Sequence, residues 1–434
     1  MLRVSIKEAA PGMRLAMPVY HPRRGGPVLL KAGVTLDDRL IARLREIELR
    51  EIWIRYPGMS FLGRYASPAI LQARAELTHS VLDALDAVAC NAEARLDYAE
   101  YKRAIVSLVE QLMRSPTAAY YVEELATEST PHGRHANSVC FLSLLMGLKL
   151  SDYLIAERSR LHASHAKDVT SLGVGAMLHD VGMLRLSAQT LRKWNSEHDE
   201  SDPHWQRHVK LGYDMVRKGV DPSAAAIVLH HHQMYDGSGF PRRKLLGGGS
   251  IPLQGQEIHV FARIVAVADA FDCLRDSGNA PGADRVPQVR RSTVAALRQV
   301  ALGKMAERFD PMAIMALVAS VPAYAPGSVV TLSDGTHAVV CNWRPDDPCR
   351  PRVLPIDGLD AAIDSPEESD AILDGDTHVP SNAIDLSATP GLYIARAEGF
   401  DVSDENFLLP EASAFDLKKA DRDRVNRAET LEAR

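Results

Sequence analysis

The strongest constraint on how this chain can fold is that its most apolar runs enclose, or end on, ionisable side chains. Gly175-Ala176-Met177-Leu178-His179-Asp180-Val181-Gly182 sets an imidazole beside a carboxylate in apolar sequence. Ala224-Ala225-Ala226-Ile227-Val228-Leu229 runs into His230-His231-His232, and Phe261-Ala262-Arg263-Ile264-Val265-Ala266-Val267-Ala268 runs into Asp269. A carboxylate carried into a core needs a partner or a metal to offset its lost hydration. The fold must therefore bring these groups to one another or to a cation.

Two more histidines belong with them. His135 precedes Val139, Leu142, Leu145 and Met146 at helical spacing, and His208 lies four residues before Gly212 in another helical pattern. Singly, each reads more readily as a cap or a solvated histidine than as a ligand. Together, His135, His179, Asp180, His208, His231, His232 and Asp269 spread over five segments of one helical region. Imidazole and carboxylate suit Fe, Mn or Zn, and adjacent ligands such as His179-Asp180 can serve two ions, the histidine on one and the carboxylate bridging. Two ions held roughly 3.5–4 Å apart can act on one phosphate. Asp272, one turn past Asp269, either shares that site or caps its helix.

With 434 residues the chain is long enough for two or three domains. Residues 14–20 and 27–30 are short apolar runs around a basic, Gly-rich turn, a hairpin pattern; Leu36, Leu40, Leu44 and Ile47 recur at helical spacing, and residues 51–56 alternate as a strand. From 69 past 320 the pattern is helical, with loops expected at 126–133, 187–204, 233–257 and 277–289. Residues 328–332 and 337–341 then flank Asp334-Gly335, a second hairpin signal. The expected division is a small N-terminal α+β accessory domain (1–66), a helical linker region (67–125), an all-α catalytic-type domain (126–320) and a C-terminal β-containing extension with a charged tail (321–434).

Composition narrows the partners. Lys+Arg of 50 against Asp+Glu of 56 gives a net charge of -6, which argues against a surface built for polymeric nucleic acid but allows a small anionic ligand. Cysteines at 90, 140, 273, 341 and 349 show neither paired ligand spacing nor a disulfide framework, and read as buried small hydrophobes in a reducing compartment. No signal-type apolar run opens the chain and no stretch reaches the ~18 apolar residues of a membrane span. The cytoplasm is the expected location.

In order and spacing, residues 130–320 resemble the HD-GYP phosphodiesterase family of the HD superfamily. His135 is similar to its first helical ligand, His179-Asp180-Val181-Gly182 to its HD motif, and His208 to its lone histidine. His231-His232 opens a segment resembling the motif that ends Asp236-Gly237-Ser238-Gly239-Phe240-Pro241, and Asp269 is similar to the last metal carboxylate. The resemblance implies an HD-type core with two divalent metals, Fe or Mn, the first held by His135, His179, Asp180 and Asp269. Asp180, the catalytic member, bridges to a second held by His208, His231 and His232, and a water between the metals is the nucleophile. It implies hydrolysis of cyclic di-GMP to linear pGpG, with onward cleavage to GMP left open; the alternatives are a phosphodiesterase for cyclic GMP-AMP or a catalytically weakened or inactive metal-binding cyclic dinucleotide sensor or scaffold. Substrate contacts are expected from Asp236, Gly237, Gly239, Phe240, Pro241, Arg242, Arg243 and Asp272. The chain departs from the pattern at Met183, where the family has lysine, at Gln233 for glutamate and at Phe240 for tyrosine; Pro131 replaces a glutamate of three-metal members, which implies two metals. Residues 4–56 are similar to an accessory domain often found ahead of such cores, implying protein partners at the N-terminal module; a homo-oligomer is also expected.

Overall fold

The structure, a computed structural model, describes residues 1–20, 28–47, 49, 51–77, 98–114, 131–245, 247–275, 291–363 and 379–409. The chain opens with β1 (Leu2–Ser5), a hairpin of β2 (Val19–Tyr20) and β3 (Val28–Leu30), then α1 (Asp38–Glu46) and β4 (Glu51–Ile54). β4 returns antiparallel to β1, with Leu2 opposite Ile54 and Val4 opposite Ile52. Asp37 starts α1 by accepting from the Leu40 amide at 2.6 Å, which satisfies a donor the first turn leaves open.

The helical core comprises α2 (Tyr98–Arg114), α3 (Pro131–Lys149), α4 (Thr170–Leu178), α5 (Ala188–Glu197), α6 (Pro203–Val216), α7 (Pro222–His230), α8 (Val260–Arg275), α9 (Thr293–Leu302) and α10 (Pro311–Val318). α4 is buried from Leu172 to Leu178 and packs against α2, α3 and α7. Its glycines set those approaches: a Cβ on Gly173 would lie 2.8 Å from Ile105 Cγ2, and one on Gly175 2.4 Å from Ile227 Cδ1. α6, α7 and α10 each begin at an Asp-Pro pair, where Asp202, Asp221 and Asp310 cap and the proline fills a position whose amide would be orphaned. The Asp310 carboxylate also accepts from Arg263 Nη1 and Tyr153 Oη, each at 2.6 Å, and so anchors α8, the helix that carries Asp269.

A six-stranded antiparallel sheet follows: β5 (Val329–Leu332), β6 (His337–Val340), β7 (Arg352–Pro355), β8 (Ile384–Asp385), β9 (Ile394–Ala397) and β10 (Phe400–Asp401), in the order β8-β7-β6-β5-β9-β10. The two-residue strand period gives it two apolar faces. Val330, Ala338, Val340 and Val353 join the helical core, while Val339, Cys341 and Leu354 join Leu2, Leu15 and Ile54 of the N-terminal segment. The Arg3 amide adds a bond to the Gly327 carbonyl at 2.9 Å.

The architecture is the expected one, an all-α core with strand-containing flanks, but three details differ from the sequence reading. The stretch 187–204, expected as a loop, contains α5; the last core helix ends at Val318 rather than past 320; and α3 already begins at Pro131. The loop expected at 277–289 lies outside the described residues. Among the described residues no single helix is long and apolar enough to cross a membrane.

Candidate metal centre

Five elements deliver the seven side chains. His135 lies in α3, His179 and Asp180 directly follow α4, His208 lies in α6, His231 and His232 follow α7, and Asp269 lies within α8. Asp269 lies within its helix, which continues to Arg275, so Asp269, Asp272 and Cys273 share one face. The turn after Asp180 rests on α6 through bare backbone, since a Cβ on Gly182 would fall 2.0 Å from the His208 carbonyl oxygen and 2.5 Å from the Gly212 nitrogen. That close crossing brings His208 to Asp180.

The imidazoles have fixed tautomers. His179 Nδ1 lies 2.7 Å from the Ala176 carbonyl, His208 Nδ1 2.7 Å from that of Trp205, and His231 Nδ1 3.1 Å from that of Val228. A carbonyl only accepts, so each Nδ1 carries the hydrogen and each Nε2 presents a lone pair. His135 Nδ1 donates to Asp272 Oδ2 at 2.7 Å, the carboxylate–histidine pairing that orients metal ligands.

The free atoms converge. His135 Nε2 is 3.2 Å from His179 Nε2 and 3.1 Å from Asp269 Oδ1; His179 Nε2 is 3.6 Å from Asp180 Oδ2. His208 Nε2 and His231 Nε2 stand 3.4 and 3.5 Å from Asp180 Oδ1. The ligand atoms of His135, His179 and Asp180 all lie within 4.8 Å of one another, as do those of Asp180, His208, His231 and His232, so Asp180 belongs to both groups. Nε2 of His208, His231 and His232 is buried without a hydrogen-bond partner, a loss of about 1–3 kcal/mol for each atom in a core that offers it nothing. Ligand atoms about 2.0–2.2 Å from one ion, at angles near 90–110°, stand roughly 2.8–3.6 Å apart. The closer pairs here match that spacing, and the donor set fits divalent cations.

Electrostatics agree. Burial lowers the His179 pKa to about 4 and holds His232 well below the ordinary imidazole value, so both are neutral ligands near pH 7. For Asp180, burial raises the pKa, but His179 and His231 outweigh it and keep the carboxyl well below its usual range; Asp269 is lowered in the same way through His135. Burial also pulls His135 down, yet Asp269 and Asp272 overcome it and raise this histidine well above its ordinary value.

The remaining expected site residues divide. Asp272, expected among substrate contacts, has a side chain only 4% exposed and stands behind His135, accepting from its Nδ1. In the 236–241 loop the Ser238 amide donates to Asp236 Oδ1 at 2.9 Å, and Gly237 has φ 83°, open to glycine at little cost. A Cβ on Gly239 would fall 2.3 Å from the His232 carbonyl oxygen. Phe240 stacks on His232 with ring centroids 4.8 Å apart, and Gln233 Nε2 donates to the Pro241 carbonyl. Gln233, Gly239 and Phe240 thus pin this loop to a ligand-bearing turn. Arg242 and Arg243 are exposed beside it, and Met183 is buried.

Two neighbours escaped the sequence reading. Trp205 packs between Trp194, stacked at 3.9 Å, and the rings of His208, His232 and Phe240, walling one side of the centre. Cys273, expected as a buried hydrophobe like Cys140, Cys341 and Cys349, is instead exposed, with Sγ 3.4 Å from Asp269 Oδ1. The only sequence signal was its position four residues past Asp269; Cys90 lies outside the described residues.

A family model described as HD domain matches residues 121–311. The cyclic di-GMP phosphodiesterase PA4108 of Pseudomonas aeruginosa is 25% identical over 356 residues, covering 75% of this chain and 78% of that protein. The cyclic di-GMP phosphodiesterase response regulator RpfG of Xanthomonas campestris pv. campestris is 35% identical over 28% of this chain and 30% of its own length. A 3'3'-cGAMP-specific phosphodiesterase 2 of Vibrio cholerae is 33% identical over 22% of this chain and 17% of its own.

Proposed function

We propose that this chain is an HD-domain protein of the HD-GYP type, a metal-dependent phosphodiesterase opening cyclic di-GMP to linear pGpG. The observation that carries the proposal is the sharing of Asp180 between two sets of converging ligand atoms. We assign His135, His179, Asp180 and Asp269 to one divalent cation and Asp180, His208, His231 and His232 to a second. Fe or Mn suits a set of imidazoles and carboxylates. Two such cations would neutralise phosphodiester oxygens and lower the pKa of a water placed for in-line attack.

The chain's own part is to hold the lone pairs in place and to admit substrate. The carbonyls of Ala176, Trp205 and Val228 keep three imidazoles in the ligating tautomer, and Asp272 does so for His135. Gly239 lets the loop close on the His232 turn, and the exposed Arg242 and Arg243 beside it offer charge to the phosphates of a bound dinucleotide. We take residues 126–320 as the catalytic domain, 67–125 as a helical linker, and 1–66 and 321–434 as flanking domains, the N-terminal module docking protein partners and the chain self-associating.

Purified full chain, loaded with Mn or Fe under reducing conditions, should convert cyclic di-GMP to pGpG. The cGAMP-specific relative favours a second reading in which cyclic GMP-AMP is the better substrate, and turnover of that dinucleotide in preference would replace the first assignment. Full occupancy by two metals without hydrolysis of either would overturn the enzyme reading in favour of a sensor.

A further inference from the structure

The side chain at 273 stands beside two of the ligand-bearing side chains, at the edge of the metal centre. Cys273 lies four residues beyond Asp269 on α8, so one helical turn stacks its Sγ over the carboxylate, 3.4 Å from Oδ1. The ligand atoms of His135, Asp269 and Cys273 all lie within 4.8 Å of one another, and His135 Nε2 is itself 3.1 Å from Asp269 Oδ1. The cysteine does not stand alone, because in the neighbouring ligand set of the same centre the fully buried His208 and His231 turn Nε2 atoms without hydrogen-bond partners towards Asp180.

The spacing can be tested against bond lengths. A thiolate about 2.3 Å and a carboxylate oxygen about 2.1 Å from one ion, at an angle of 90–110°, are separated by roughly 3.1–3.6 Å. The observed 3.4 Å falls inside that interval. Cys273 is also exposed on α8.

We propose that Cys273 is a thiolate ligand of the cation held by His135, His179, Asp180 and Asp269, an inference that rests on the metal centre assigned above. The bond forms between sulfur and the divalent ion, and the thiol proton leaves to solvent. One soft sulfur among hard oxygens and imidazoles shifts this position away from Mn and towards Zn or Fe(II), while the second position keeps an all-N/O set.

Cobalt(II) reports the bond directly, since cobalt–thiolate coordination gives an intense near-ultraviolet charge-transfer band that imidazole and carboxylate ligands do not. Chelator-stripped full chain refilled with cobalt should show that band together with weak visible ligand-field bands. Cys273→Ser and Cys273→Ala, at an exposed position, should keep their circular dichroism, cobalt stoichiometry and visible bands but lose the charge-transfer band. Their zinc affinity should fall by at least the ~10-fold that loss of an outer partner costs, and manganese affinity by less. Visible bands without a charge-transfer band in the parent, or a band that survives both substitutions, would overturn thiolate ligation and leave the metal centre standing. A parent chain that takes up no cobalt, manganese or iron would overturn the centre itself, and this proposal with it.

Discussion

Replacing Gly182 by alanine should empty the second cation position without altering any ligand. The added Cβ would fall 2.0 Å from the His208 carbonyl oxygen, 2.5 Å from the Gly212 nitrogen and 2.9 Å from the His208 carbonyl carbon. All three are backbone atoms of α6, so no rotamer change relieves the clash, and restoring a contact near 3 Å requires α6 to back away from the Asp180 turn by about 1 Å. His208 Nε2 starts 3.4 Å from Asp180 Oδ1. Coordination distances tolerate about 0.2 Å, so the shift is roughly five times what the site can absorb. Overpacking adds a cost of about 1–3 kcal/mol. Elemental analysis should find one metal equivalent lost per chain, calorimetry a lowered Tm, and a cyclic di-GMP assay only background turnover, with helical circular dichroism retained. Gly212→Ala is the graded control, because its Cβ would meet the movable Val228 Cγ1 at 2.9 Å and backbone only at 3.1 Å. Undiminished occupancy and an unchanged Tm in Gly182→Ala would refute the idea that this crossing sets the position of His208.

Three other perturbations probe separate parts of the account. Met183→Lys restores a cation where the resembled family carries one, and should raise turnover about 10-fold, or about 1.4 kcal/mol; because Met183 is 4% exposed, it should also cost about 1–3 kcal/mol of stability. A fully metallated Met183→Lys protein with parental kinetics would clear Met183 and turn attention to Gln233 and Phe240. Asp272→Ala frees His135 Nδ1 and should weaken metal binding about 10–100-fold while sparing turnover at saturating metal, so unchanged affinity in a metal titration would remove its orienting role. His259 Nδ1 accepts from the Phe261 amide at 3.2 Å at the start of α8, and burial, then the charges of Arg158 and Arg263, lower its pKa to about 4. Between about 6.5 and 4 the unfolded chain binds a proton that the folded chain refuses, so this contribution is complete above pH ~6.5 and is lost as pH falls, by up to about 1.4 kcal/mol per pH unit. His259→Asn keeps an acceptor but does not titrate, and should flatten the Tm–pH curve across that window; identical curves would exclude His259 as the titrating group.

Much of the centre was legible because its ligands interrupt apolar helical sequence, where an unpartnered carboxylate is expensive. His179-Asp180 and Asp269 stand out on that ground alone, and the Asp-Pro pairs at 202, 221 and 310 mark helix starts by capping chemistry. α5 was missed because it buries none of its residues and so shows no apolar period; it is held by the Ser187 cap, a left-handed end at His198 and the stacking of Trp194 on Trp205. Asp272 and Cys273 share a helix face with Asp269, but which of them turns inward behind His135 depends on how α8 rolls against α3, a tertiary fact. The common core of Leu2, Leu15 and Ile54 with Val339 and Leu354 joins residues some 300 positions apart, beyond any local pattern.

The central claim is that Asp180 serves two cations, and metal titration of chelator-stripped full chain tests it most directly. Calorimetric titration with Mn(II) under reducing conditions should reveal two equivalents bound per chain, and Asp180→Ala should lose at least one of them together with all hydrolysis of cyclic di-GMP. Two equivalents bound with equal affinity by the parent and by Asp180→Ala, or none bound by either, would contradict the account.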